Sequence, residues 1–331
     1  MNWLRLALAL VVVGVMNGCV ADPVGRFTFS VKDDEGTALP DIKVCIAGHK
    51  GWVPGPSFGR DEFRSKEGVT DTNGMLTLEI ASDQGHFEYT VQRLPDYYDF
   101  YARDLYLTEK KNDQWMPWDR KIEIIMAKKG KPIVMYAKKT SADEKSKLNY
   151  NNINVGYDLM IGDWIDPYGK GKVADFFVKF EHDIISENDY LHTMTIRFPN
   201  DGDGLILQPV PIRERNDLVL SRFAPENGYQ SLYIEQQGVK NNKSIYTAIE
   251  NDNFFIRTRT VKKDGKIISC NYGKIIGCIE GSNSNFLCMR YFLNPNQNDR
   301  NLEVDRSDNL IKHLTELQSP VRYKNYNDYA R

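Results

Sequence analysis

From Arg26 onward the chain alternates apolar and polar residues, with Phe27, Phe29 and Val31 separated by Thr28, Ser30 and Lys32. A period of two sends successive side chains to opposite faces of a strand, one toward a core and one toward water. The alternation returns at Ile42, Val44 and Ile46, at Met75, Leu76, Leu78 and Ile80, at Phe87, Tyr89 and Val91, and at Ile122, Ile124 and Met126. Further strands are expected over 173–183, 191–198, 231–235, 254–261, 266–272, 274–280 and 286–292. Helical spacing is scarce; Leu310, Ile311, Leu314 and Leu317 predict one short helix near the C-terminus. The fold class is therefore all-β, with many short strands and regular turn signals that suggest sandwiches or a jelly roll.

Turn chemistry divides these strands. Asp33-Asp34-Glu35-Gly36 and Asp71-Thr72-Asn73-Gly74 separate strands of the first half, and Asp264-Gly265 is a two-residue hairpin signal in the second. Asn-Gly and Asp-Gly suit hairpins because both residues tolerate positive φ. The stretch Gly48–Lys66, rich in glycine, proline and aromatics, reads as a loop of about 20 residues, long for a compact sandwich. Residues 139–152 are polar and read as a linker. The expected organisation is a β-sandwich over 24–138, a second β domain over 153–310, and a short helix with a polar tail over 311–331.

A chain of 331 residues is long enough for two such cores. Its net charge of −2, with lysines and arginines interspersed among acids, gives no electrostatic case for nucleic acid. The N-terminus is different in kind. Arg5 precedes an apolar run from Leu6 to Val15, broken only by Gly14 and too short to span a bilayer. It ends in Met16-Asn17-Gly18-Cys19, which resembles the lipobox of bacterial lipoproteins. That resemblance implies a signal peptide over 1–19, a diacylglyceryl group on Cys19, and a membrane-anchored protein of the cell envelope. A plain secretory signal cleaved nearby is the alternative, and Met16 and Asn17 depart from the favoured lipobox residues.

Two further resemblances concern the body of the chain. Val31–Val44 (VKDDEGTALPDIKV) with Val69–Leu78 (VTDTNGMLTL) resembles the carboxypeptidase regulatory-like family. That family implies a transthyretin-like β-sandwich that is usually non-catalytic. Lys131–Lys138, Gly162–Lys172 and Asn294–Glu303 are similar to an uncharacterised group of exported bacterial proteins, which implies two linked domains and leaves function open.

Candidate chemistry is sparse. If a hairpin pairs around Glu187, His182 and His192 face each other; Asp183 points to the other face, so a third zinc ligand is missing. His49, His86 and His313 have no patterned partners, and no metal or cofactor is expected. There is no Gly-x-Ser-x-Gly elbow, and no catalytic residue is assigned. Cys278 and Cys288 flank Gly281–Asn285 and would oppose each other across a hairpin, as a disulfide or as buried free thiols; Cys45 stays unpaired. Gly169-Lys170-Gly171-Lys172 lacks P-loop spacing and reads as a basic turn. Asp201-Gly202-Asp203-Gly204 reads as a tight turn rather than a calcium loop.

Asp158, Asp163, Asp166 and Asp175 lie near Trp164 and Tyr168. Acid pairs beside aromatics are the materials of sugar binding or hydrolysis, so Asp163, Asp166, Trp164 and Tyr168 are the candidate ligand residues. Trp52, Phe58, Trp115 and Trp118 fall in expected loops and are candidate contacts too. The leading expectation is an exported, membrane-tethered, non-catalytic binding or assembly protein whose partner is a glycan or an envelope protein. The alternatives are a glycan hydrolase using Asp163 and Asp166, or a structural subunit of an envelope complex.

Overall fold

The computed structural model describes residues 22–55, 58–102, 104–140, 148, 151–210, 214–249, 251–281, 283 and 285–321. Cys19 and the tail after 321 lie outside them. Every regular element among the described residues is a strand. The first half contains β1 (Val24–Asp33), β2 (Lys43–Val53), β3 (Arg60–Val69), β4 (Met75–Ala81) and β5 (His86–Val91). It continues with β6 (Phe100–Ala102), β7 (Leu105–Tyr106), β8 (Glu109–Lys111), β9 (Gln114–Met116) and β10 (Arg120–Met126).

β1 is the spine of one sheet. It pairs in parallel with β10 and antiparallel with β4, so that Phe29 lies beside both Ile122 and Leu76. The facing sheet runs β3-β2-β5-β7. The apolar alternation then closes a core between them: Phe27, Phe29, Val31, Leu78, Ile80, Ile122 and Ile124 against Ile42, Val44, Ile46, Phe87 and Tyr89. Phe27 and Phe87 meet edge to face at 4.8 Å, a favoured aromatic geometry.

Two expectations fail here. Gly48–Lys66 is not a loop: β2 and β3 pair from Lys43↔Val69 out to Val53↔Arg60. β3 is an edge strand with charged residues along both faces, so it lacks the apolar alternation that announces a strand. The Asn73-Gly74 turn makes no hairpin within a sheet, because it carries the chain from β3 in one sheet to β4 in the other. Only Gly74 takes positive φ, at 70°. The Asp71 carboxylate holds the turn by accepting from the Asn73 and Met75 amides.

The second half contains β11 (Tyr136–Lys139), β12 (Val155–Asp158), β13 (Asp163–Trp164), β14 (Phe176–Ser186), β15 (Asp189–Arg197) and β16 (Gly204–Leu207). After these come β17 (Glu214–Asn216), β18 (Leu232–Lys240), β19 (Lys243–Tyr246), β20 (Asn253–Lys263), β21 (Lys266–Ile276) and β22 (Arg290–Leu293). All but β17 form a second sandwich with sheets β11-β22-β21-β20-β16 and β13-β12-β14-β15-β18-β19. Tyr157, Phe176, Val178, Phe180, Met194 and Ile196 pack against Leu205, Phe254, Ile256, Ile275, Tyr291 and Leu293.

The first of these sheets is buried on both faces. Phe255, Tyr272, Ile276 and Phe292 point away from the sandwich core and are covered by Leu220, Ala224, Leu302 and Val321. Double burial explains why β20 is buried without alternation from Asn253 to Thr258 and β21 from Cys270 to Ile276, the polar Arg257, Asn271 and Lys274 included. It also merges the two strands expected over 266–280 into one, with Gly273 admitting the Phe292 carbonyl where a Cβ would sit 2.5 Å from that oxygen. Asp264-Gly265 makes the expected two-residue turn, with φ of 52° and 75°.

β11 pairs with β22 and so belongs to the second sandwich, although it falls within the segment expected for the first. The described part of 311–331 contains turns and no helix. Asn309 accepts from the Ala137 and Ile311 amides and donates to the Ala137 carbonyl, pinning the strand-like entry. Ile311 is then buried in the second core and Leu314 packs against it from a non-helical strap.

The two sandwiches are joined by polar contacts. β6 pairs with β17 across the boundary. Glu303, fully buried, accepts from Tyr98 Oη at 2.9 Å and from the Gly130 amide at 2.6 Å, and faces Arg222 at 2.9 Å. Arg222 in turn reaches Asp34 at 3.0 Å. A cleft of about 520 Å³ lies beside this joint, lined by Asp34, Lys128, Arg222, Phe223, Asn301 and Glu303 among others.

Candidate functional site

Of the acids singled out near 158–175, Asp158, Asp163 and Asp175 accept backbone amides. Asp158 Oδ1 accepts from the Met160 and Ile161 amides, and its Oδ2 accepts from those of Lys172 and Val173. Asp163 accepts from the Trp164 and Lys170 amides. The turn Gly169–Lys172 thus wraps its amides around the protein's own carboxylates, as a nest of N–H groups does for an anion. Asp175 accepts from the Leu159 amide at 2.7 Å and from Arg259 at 2.8 Å.

Arg259 reaches both Asp158 and Asp175 from a bulge in β20, where it takes a φ of 55°. Burial opposes its charge, but hydrogen bonding and attraction from Asp175, and then from Asp158, outweigh burial and raise its pKa above the usual value. Trp164 is fully buried in the second core, Tyr168 packs on that core's edge, and Asp166 is exposed. The four candidate ligand residues therefore do not line a common groove. Asp203 behaves similarly: it is buried and accepts from the Thr260 amide and from Asn200, within the expected tight turn.

Cys278 and Cys288 are free thiols. Cys288 lies opposite Glu280 rather than Cys278, because the bridge closes a loop longer than the five residues expected. Burial first, then Glu280, pushes the Cys278 thiol up to about 11, which makes it a poor nucleophile. His182 and His192 do sit opposite each other, with Nδ1 to Nδ1 at 2.6 Å; Asn285 contacts the other nitrogen of His182 at 2.6 Å. One imidazole must donate and the other accept, so the pair cannot carry two protons there.

A different face draws chemistry together. Gly48 points into the first core, so its neighbour His49 points outward, and pairing places it next to Phe63 of β3. Phe87 is core, so His86 is outward as well, opposite Tyr106 of β7. Four rings then cross the outer face in strand order: Phe63, His49, His86, Tyr106. His49 meets Phe63 at 5.5 Å, His86 meets Phe63 at 5.4 Å, and His86 stacks on Tyr106 at 4.6 Å.

Acids edge this row. His49 Nδ1 lies 2.5 Å from Asp83 and its Nε2 3.2 Å from Asp61. The hydrogen bond that His49 donates to Asp83 raises its pKa, against the opposing effect of burial and with further help from Asp61. His86 Nε2 lies 3.1 Å from Asp104 and 3.8 Å from Glu88.

Beyond this row, β2 and β3 continue with no other strand beside them among the described residues. β5 pairs with β2 only from Val44 to Gly48, so residues 49–53 and 60–63 form a two-stranded arm. Trp52 on the arm is 60% exposed and Phe58 in its turn 91%. Of the other tryptophans expected in loops, Trp115 is buried and donates to the Ser82 carbonyl, and Trp118 is half-buried. Apolar residues also cap two hairpins of the second sandwich: Ile184 and Ile185, and Val261, Ile267 and Ile268.

No family model matches the chain, and no curated protein does. Among solved structures, the shaft pilin spaA from Lactobacillus rhamnosus GG aligns at 12% identity with a TM-score of 0.23, covering 54% of this chain and 89% of that one. A score that low defines no shared fold.

Proposed function

We propose that this chain is an exported, lipid-tethered, non-catalytic binding or assembly protein, and that the β2–β3 arm is its contact element. The observation that carries this reading is the exposure of Trp52 and Phe58 on an arm that, among the described residues, has no strand partner beyond its own hairpin. Large exposed aromatics are costly in water and form the anchors of protein interfaces. A transthyretin-like first sandwich, as its resemblance implies, would hold this arm clear of the membrane.

A protein partner fits better than a glycan. Sugar hydrolysis needs two carboxyl groups free to exchange protons across a bound substrate. Asp158, Asp163 and Asp175 instead accept backbone amides, and Asp158 and Asp175 also pair with Arg259. Two measurements test the reading. Fractionation of cells should find the wild-type chain in membranes and Cys19→Ala released from them. The purified chain should liberate no reducing ends from cell-wall glycan. A membrane-retained Cys19→Ala chain would remove the lipid tether, and released reducing ends would make the protein a hydrolase.

A further inference from the structure

We propose that His86, Glu88 and Asp104 form a binding site for a divalent ion of the zinc class on the outer face of the first sandwich. His86 and Glu88 are two residues apart on β5 and so project from the same face. Asp104 stands immediately before β7, whose pairing of Tyr106 with His86 brings that carboxylate to the imidazole. One ligand atom from each residue lies within 4.8 Å of the other two. The two measured separations from His86 Nε2, 3.1 Å to Asp104 and 3.8 Å to Glu88, approach the spacing of ligands on one ion. With bonds of about 2.0–2.2 Å, neighbouring ligands on a tetrahedral or octahedral ion stand about 3.0–3.5 Å apart.

The surroundings suit this role. The Tyr106 ring stacked on His86, with the Phe63 edge against it, fixes the imidazole plane. Glu88 and Asp104 are partly exposed, so an ion can enter and retain a position open to water. His49 stays outside the ligand set because each ring nitrogen already faces a carboxylate. One imidazole with two carboxylates matches zinc and its neighbours; magnesium and calcium favour all-oxygen cages. The site is independent of the arm's role, since Trp52 and Phe58 contribute no ligand.

The test is titration of the EDTA-stripped full chain with zinc chloride by calorimetry, repeated with cobalt chloride for its visible absorption. One equivalent should bind, and Glu88→Gln and Asp104→Asn should each weaken binding at least tenfold and diminish the cobalt bands. Both substitutions preserve side-chain shape, and circular dichroism checks the fold; His86→Asn is the third variant, and His192→Asn and His313→Asn should bind as the wild type does. No uptake at millimolar zinc would overturn the proposal. So would binding that survives all three site substitutions or that is lost in His192→Asn.

Discussion

Lys274 is buried beneath the joint between the sandwiches and donates to the Leu218 carbonyl at 3.0 Å. Burial, and then repulsion from Arg306, lowers its pKa to about 7 against the partial support of Glu303. The unfolded chain, with an ordinary lysine, binds this proton more tightly, so the native state is penalised wherever the lysine must charge. The penalty is absent above the unfolded pKa, grows as pH falls from about 10.5 toward about 7, and is constant below. Lys274→Met should therefore stabilise the chain at pH 7 by about 1–4 kcal/mol, after allowing for the lost hydrogen bond. Urea midpoints at pH 7 and pH 10 measure this; a gain that does not shrink at pH 10 would contradict the assignment. Arg259 is the contrasting case, a half-buried cation held charged by Asp158 and Asp175 from a bulge in β20.

Among the elements, the β14–β15 hairpin was legible in the sequence down to its register, since alternation about Glu187 placed His182 against His192. Asp264-Gly265 was equally legible, because its backbone demand is local. The β2–β3 arm and the row from Phe63 to Tyr106 were not. Period two tells which face a residue takes but not which strands are neighbours, and β2, β5 and β7 are brought together by non-local pairing. Phe63 and Asp61 were further hidden in a stretch whose glycine, proline and charge imitate a loop. In the acidic cluster near Trp164, residue type suggests a sugar, but it does not tell that Asp158, Asp163 and Asp175 accept backbone amides.

The His182–His192 pair gives its hairpin a dependence on acid. Burial first, and then the neighbouring His182, lowers the His192 pKa from 6.5. The unfolded chain then takes up more protons, and stability falls as pH drops below 6.5 until the lowered pKa is passed. The loss of melting temperature between pH 7 and pH 5 should be smaller in His192→Asn than in the wild type. An unchanged acid dependence would show that His192 does not contribute to it.

At the scale of the molecule, two β-sandwiches share a joint built from β6 with β17 and from Glu303 with Arg222, Tyr98 and Gly130. A buried carboxylate is costly unless paired, so this arrangement favours one relative placement of the halves. The arm is thereby presented from a defined frame, as a contact element requires. The two-core organisation followed from length and alternation; the pairing of β11, which precedes the polar stretch, with β22 did not.

The claim that the arm is the contact element is tested most directly by photo-crosslinking in intact cells. A photoreactive amino acid is placed at Trp52 or Phe58, with exposed Glu123 and Lys240 as control positions. One discrete protein adduct is expected from each arm position and none of that size from the controls. No adduct from the arm, or the same adduct from all four positions, would contradict it.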